Sequence, residues 1–522
     1  MQTFRTKPII ESEFLGYDDL HPSQLLSPGK FQVADNVLIS DNKIKKVTGS
    51  TAINSVAVAA FPFNGLSSFE KISTGDKWLV ATVNGASTAS VYQSTGGNFT
   101  KISAANTFTN NARVYTAVAN DLIFGFNKHE EFDWDGTTFT KNRSGIPLGN
   151  FAQWFHNYLF VASTSANPNR LFFSNLGVPT TFTGSDYVDI NPGDSDSCMG
   201  LGMLQDELFF FKKNTIWSIT GWSGTTFAAT TIAAQNTNVR LFGYGCIAPG
   251  SILSVGNDIY FLSFLSGTPQ IRSLKKTQFA ATLGGGIISY DITGTMATIN
   301  KSYMSNTVGV FDGRYCYWAI TTGSSTTNNK IIVLDTWGIR KLKGVTVYPW
   351  TTMSTKNAAF MTISTLSGAA ITYYATTSST SGLVYKFDSS VYTDEGTNIT
   401  MTATPRSFML DPSRKTKWKY LYIKYDTGVN SSLNVKSRVD LSADYTLQEA
   451  VSLSGTSPGL GPTGTFTLGT STLGGNSIQK HRVTFAQMSG TILDVQFTET
   501  SANAVGIYEM SLYGNPKGLR ND

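Results

Sequence analysis

The sequence predicts an all-β fold, and three observations carry that prediction. A unit of two apolar and aromatic strands joined by a tight polar turn recurs between residues 66 and 388. One copy runs Lys77-Trp78-Leu79-Val80-Ala81-Thr82-Val83, turns at Asn84-Gly85 and resumes at Ser90-Val91-Tyr92. Others centre on Asn120-Asp121-Leu122, Asn157-Tyr158-Leu159, Asp206-Glu207-Leu208, Asn257-Asp258-Ile259 and Asp312-Gly313-Arg314. The copies recur at roughly 35 to 50 residues, the period at which repeated sheets stack radially as blades, so the middle of the chain reads as a β-propeller of six or seven blades. Finally, no window combines a 3.6-residue apolar period with helix formers and capping residues.

The elements follow in order. Residues 1–51 read as an extended N-terminal arm punctuated by His21-Pro22 and Ser27-Pro28-Gly29, ending in a hairpin: Ala34 to Ile39, a turn at Ser40-Asp41-Asn42, then Lys43 to Val47. Residues 52–390 carry the blades, separated by Gly, Asn, Thr and Ser clusters suited to turns. Residues 391–522 read as an antiparallel β-sandwich. Its strands are Trp418 to Tyr425, Leu433 to Val439, His481 to Phe485, Ile492 to Phe497 and Tyr508 to Tyr513, with a long Gly/Thr/Ser/Pro loop at 455–475. Strict alternation puts Tyr420, Tyr422 and Lys424 on one face of the first strand, and Lys419, Leu421, Ile423 and Tyr425 on the other.

Composition narrows the function classes. A chain of 522 residues has room for two or three cores. Only 14% of residues are charged, a surface suited to lying against neighbouring subunits. The balance of 40 basic against 35 acidic residues is too even to announce nucleic-acid binding. Cys198, Cys246 and Cys316 are isolated and read as buried free thiols. No apolar signal segment or membrane-length apolar run occurs, which argues for synthesis in a reducing cytoplasm and against membrane insertion.

Chemistry-bearing motifs are sparse. The run His129-Glu130-Glu131-Phe132-Asp133-Trp134-Asp135-Gly136 is dense in ionisable groups, but a strand throws successive side chains to opposite faces, so a blade edge is favoured over a metal or catalytic site. Asp186, Asp189, Asp194 and Asp196 around Asn191-Pro192-Gly193 suggest calcium or an acid–base pair, against a plain turn-rich connection. No nucleophile elbow, phosphate loop or dinucleotide fingerprint is present, so no catalytic, metal or cofactor residues are expected and the chain reads as a non-enzyme. Arg414, Lys415, Lys417, Lys419 and Lys424, interleaved with Trp418, Tyr420 and Tyr422, form a basic cluster that can face DNA or an assembly partner, or simply solvent.

The order of segments resembles the tail nozzle, or tail hub, proteins of short-tailed bacteriophages, also called packaged-DNA stabilisation proteins. The resemblance rests on Ser27-Pro28-Gly29 with Ala34-Asp35-Asn36-Val37 and Val47-Thr48-Gly49. It continues through Asn169-Arg170-Leu171-Phe172-Phe173-Ser174, Tyr187-Val188-Asp189-Ile190, Leu208-Phe209-Phe210-Phe211-Lys212 and Ile216-Trp217-Ser218-Ile219-Thr220-Gly221. It closes with Lys417-Trp418-Lys419-Tyr420-Leu421-Tyr422 and Met510-Ser511-Leu512-Tyr513-Gly514, and departs at the 455–475 loop. The resemblance implies a virion structural protein forming a homohexameric ring below the portal-adaptor (head-to-tail connector) complex. Such a ring retains packaged DNA and conducts it at ejection, touching double-stranded DNA transiently and tail fibre or spike proteins at its outside. An alternative is a glycan-binding or glycan-cleaving propeller of a phage tail or cell-surface system, with Trp217, Trp222, Trp318, Trp337 and Trp350 as stacking platforms or, alternatively, as wedges between blades.

Overall fold

A computed structural model describes residues 7–517 apart from 41, 60, 106, 221–232, 237–244, 266, 279–284, 379–380, 427–430, 454–477 and 487. The expected loop at 455–475, Trp222 and the hairpin-turn residue Asp41 lie outside the described residues. The chain is all-β and divides into two compact units: residues 52–331 with 356–387, and residues 1–51 with 332–355 and 388–522.

The first unit is the β-propeller. Six sheets stand as blades around a common axis: four of four strands, one of three (Leu253–Val255, Asp258–Leu265, Thr268–Ser273) and one built on Ala358–Ser364, Ile371–Thr376 and Val384–Asp388. The hairpin of Val308–Phe311 and Tyr315–Ile320 fills the remaining sector. The four-stranded blades start at Phe63–Lys71, Tyr115–Ala119, Phe151–Phe155 and Cys198–Leu204, and in each the first strand faces the axis.

The apolar runs of the repeat are the second strands of the blades, pressed between neighbours on both faces. Along one such run Leu208 and Phe210 pack with Phe160 and Phe173 of the preceding blade, while Phe209 and Phe211 pack with Ile259 and Phe261 of the following one. The preceding blades repeat the device: Phe124 and Phe126 join Leu159 and Val161, and Ile123 joins Phe69 and Val91. Period two survives in space but is silent in sequence, because both faces need apolar residues. Burying each such phenylalanine contributes about 1.5–3 kcal/mol.

Tight turns set the register. Asn120-Asp121 and His156-Asn157 join first to second strands with both residues left-handed, φ 48° and 64°, then 46° and 63°. That geometry matches the strand twist, and Asn, Asp and His tolerate it best after glycine. The ring closes where the chain returns: Ile53 N–H donates to Val384 C=O at 2.9 Å, and the Asn54 side chain accepts from Val384 N–H at 2.9 Å. Phe63, Leu79 and Val83 of the first blade pack against Tyr373, Ala375 and Val384 of the last.

The second unit is a two-sheet sandwich. One sheet runs Val37–Ser40, Lys43–Lys46, Gly506–Pro516, Thr416–Asp426, Ile478–Thr484, with Ile9–Glu11 added along Gly506–Pro516. The other includes Trp350–Met353, Lys30–Asp35, Met401–Pro405, Leu493–Glu499, Ser432–Val439 and Thr446–Ser452. The N-terminal segment does not extend as an arm: its strands belong to both sheets, and Phe14, Phe31, Val37 and Ile44 share one core with Trp418, Leu421, Phe497 and Leu512. Lys46 and Glu499 meet inside this unit at 2.6 Å with neither side chain exposed, and burial pulls the Lys46 ammonium below its ordinary pKa against the opposing pull of Glu499.

No described helix is long and apolar enough to cross a membrane. Cys198, Cys246 and Cys316 are free and buried, and burial pushes the first two thiols up to about 12.

Candidate functional site

The first strands of the blades surround an axial cavity of about 260 Å³. Its wall is small and polar where blades meet: Ser67 and Thr116 share a hydroxyl–hydroxyl hydrogen bond of 2.6 Å. One cation, Arg113, reaches the wall, where its guanidinium lies 4.7 Å from the ring centre of Phe360, another wall residue, while Nη1 donates to Ser305 C=O at 2.8 Å and Nη2 to Asn306 C=O at 3.1 Å. A second cavity of about 150 Å³ shares Arg113 and Phe360 and is rimmed by Asn306, Asn328, Thr376 and Thr377. Hydrolysis by a carboxylate pair needs two such groups flanking the bond. Among the described residues neither cavity is lined by any. Hydroxyls, amides, an aromatic ring and a guanidinium suit hydrogen bonding to a neutral polar ligand.

Both acidic runs contain internal ion pairs. In the first, Asp133 is a second-blade strand residue gripped bidentately by Arg143, Nε to Oδ2 at 2.8 Å and Nη2 to Oδ1 at 2.6 Å. Glu131 is fully buried, accepts from Arg143 N–H at 2.9 Å, and is pushed up to about 7 by burial, with Asp133 adding to the rise. His129 does not join them: its N–H bonds the Asn127 side chain at 2.9 Å in the turn. Trp134 is buried and packs on Trp78 at 5.2 Å between blades.

In the second run the cation is a lysine. The Lys212 ammonium, with none of its side chain exposed, donates to both oxygens of Asp194 at 2.9 and 2.8 Å and to Asn191 C=O at 3.1 Å. Asp196 accepts from Asn214 N–H at 3.0 Å, and Asp189 pairs with Arg170 at 2.7 Å. No group of three or more metal-ligating side chains converges among the described residues.

The basic cluster separates into three settings. Arg414 lies before the strand and pairs with Asp411 at 3.5 Å; Lys415 is exposed beside it. Lys424 pairs with Glu509 of the adjacent strand at 2.5 Å. Lys417 and Lys419 are exposed. Strict alternation fails here: a bulge between Trp418 and Tyr420 turns Lys419 outward with Lys417, Tyr420 and Tyr422, while Trp418, Leu421, Ile423 and Tyr425 point into the core. The same face gathers residues that sequence reasoning missed, Lys480 and Arg482 on Ile478–Thr484 and Tyr513 on Gly506–Pro516. Their signal was the exposed i, i+2 pairing of Lys480 with Arg482, unreadable without the strand pairing.

The tryptophans divide likewise. Trp318 and Trp350 are wholly buried, Trp217 is half-buried, and Trp337 is 72% exposed.

No protein-family model matches the chain, and no curated protein matches it. Among solved structures it is similar to the Pan2 WD40 domain of Neurospora crassa, at 9% identity and TM-score 0.38, over 65% of this chain and 95% of that one. It is similar to the extracellular domain of a putative hybrid two-component system from B. thetaiotaomicron, at 9% identity and TM-score 0.37, over 65% of this chain and 39% of that one. An exo-β-1,3-galactanase from Phanerochaete chrysosporium matches at 10% identity and TM-score 0.22, over 90% of this chain and all of that one. The expectation that the chain is a non-enzyme is corrected to open: the solved structures similar to it include this exo-β-1,3-galactanase and a glycoside hydrolase. At these scores the likeness is one of fold and assigns no activity.

Proposed function

We propose that the chain is a ring-forming subunit of a short-tailed phage tail nozzle, with the sandwich unit as its assembly platform and the propeller as an appended module. The observation that carries this reading is the sandwich itself. Residues 1–51, 332–355 and 388–522 group as one compact unit, in which Phe14, Phe31, Val37 and Ile44 share a core with Trp418, Leu421, Phe497 and Leu512, so the propeller segments 52–331 and 356–387 are inserted within that platform's sequence. A platform whose early strand Ile9–Glu11 pairs along the late strand Gly506–Pro516 suits a subunit loaded under pressure, since separating the two segments shears a sheet. The segment resemblance supports the same reading, as does the low proportion of charged residues, 14% of the sequence. Native mass and negative-stain imaging, alone and with the adaptor, test it. Six-membered rings are expected with the adaptor; monomers in both conditions overturn it.

A second reading, a glycan-recognising propeller, is favoured by the cavity where Phe360, Arg113, Asn328 and Thr377 converge, an aromatic face beside polar groups. Calorimetric titration with oligosaccharides tests it: binding lost on Phe360→Ala supports the reading, and reducing-end release on incubation extends it to cleavage. No binding across neutral and acidic glycans overturns it.

A further inference from the structure

The outward face of the sheet formed by Gly506–Pro516, Thr416–Asp426 and Ile478–Thr484 carries a patch that neither reading above assigns. Three tyrosines from two strands meet on it, with ring centres 5.3 Å apart for Tyr420 and Tyr422, 4.7 Å for Tyr420 and Tyr513, and 5.7 Å for Tyr422 and Tyr513. The pairing puts Tyr420 opposite Tyr513 on one side and Thr484 on the other, with Tyr422 opposite Arg482 and Lys424 opposite Lys480. The cations frame the rings: the Lys480 ammonium sits 4.3 Å from the Tyr422 centroid, and the Arg482 guanidinium 5.7 Å from that of Tyr420.

Charge on this face is one-sided. Its two carboxylates are already held, Glu509 by Lys424 at 2.5 Å and Asp426 by Lys43 at 2.5 Å. Lys417, Lys419, Lys480 and Arg482 are exposed and form no ion pair among the described residues. A sheet face needs lysines at its edge to resist aggregation, but not a central cluster of tyrosines half-open to solvent beneath them.

We propose that this face binds single-stranded nucleic acid, the tyrosines stacking on bases and Lys417, Lys419, Lys480 and Arg482 tracking phosphates. Aromatic rings on adjacent strands flanked by cations are the two components of sequence-tolerant single-strand binding. Stacking requires unpaired bases, which separates this occupant from duplex DNA; three clustered aromatic rings have no counterpart in a chain of carboxylates, which separates it from an acidic protein. The proposal deepens the DNA-handling part of the nozzle reading but rests on the face alone.

The test is fluorescence anisotropy of the full chain with labelled dT oligonucleotide, duplex of equal length and poly-glutamate over a salt series, with ring formation followed separately by native mass. The oligonucleotide is expected to bind at least tenfold tighter than the duplex, with a log–log salt slope of about −3 from four phosphate contacts. Lys480→Glu with Arg482→Glu is expected to weaken it at least tenfold and flatten the slope. Tyr422→Leu should weaken it about tenfold and leave the slope unchanged. These variants lie on an exposed face, and circular dichroism melts verify that each folds. Absence of binding at low salt, equal affinity for duplex, poly-glutamate binding as tight as the oligonucleotide, or insensitivity to the tyrosine change each overturns the proposal, whether or not rings form.

Discussion

The Lys212 ammonium lies 2.8 Å from Asp194 Oδ2 in the fourth blade, fully enclosed, where the carboxylate cluster of the preceding loop appears from sequence to invite a metal. The lysine occupies the position a cation would take. Lys212→Met takes the ammonium from Asp194, which is 20% exposed and keeps Asp196 N–H and the Asn191 side-chain amide as donors at 3.0 Å each, so the loss is expected at about 1–3 kcal/mol. Urea unfolding should show that loss, and calcium at millimolar concentration should leave the wild type unchanged. A calcium-dependent rise in wild-type stability would restore the metal reading.

Glu131 makes folding pH-dependent in a direction opposite to most carboxylates. Burial raises its folded pKa from 4.5 to about 7, so between those values the native state keeps a proton that the unfolded chain has lost. Stability therefore falls as pH rises from 4.5 to 7 and is level on either side. The shift corresponds to about 3 kcal/mol at most. Glu131→Gln should flatten this segment of the stability–pH curve measured by urea titration; an unchanged slope would place the dependence elsewhere.

What could be read from sequence follows from locality. The second strands announced themselves because both faces are buried, and the Asn120-Asp121 turn because left-handed backbone selects those residues. The pairing of Ile9 with Leu512, which builds the N-terminal segment into the sandwich, leaves no local trace, since either strand alone looks like an ordinary edge. The partner of Asp194 was hidden similarly: Lys212 ends an apolar run in another strand, where a lysine reads as a solvated terminus. The bulge beside Trp418 defeated alternation because nothing in Lys419-Tyr420 marks an extra residue.

The His156-Asn157 turn tests whether backbone strain governs blade register. Asn157 holds φ 63°, where a β-branched side chain clashes with its own backbone. Asn157→Gly should be neutral within about 0.5 kcal/mol, while Asn157→Val should cost about 1–2 kcal/mol. Thermal melts of the two variants compare them directly. Equal effects would mean that packing of Phe155 and Tyr158, and not the turn, fixes the register.

Trp318 and Trp337 separate packing from presentation. The Trp318 indole N–H donates to Ser251 C=O at 3.1 Å from a fully buried position, tying the hairpin Val308–Ile320 to the start of the fifth blade. Trp318→Phe keeps most of the apolar area but orphans that carbonyl in a dry site, at a cost of about 1–3 kcal/mol. Trp337, 72% exposed, should change stability by less than about 0.5 kcal/mol when replaced by alanine. If oligosaccharide binding is found, its loss in Trp337→Ala together with retention in Trp318→Phe would assign stacking to the exposed ring. The reverse outcome would mean that a buried wedge shapes the binding site from behind, because a ring with no accessible face cannot stack on a ligand.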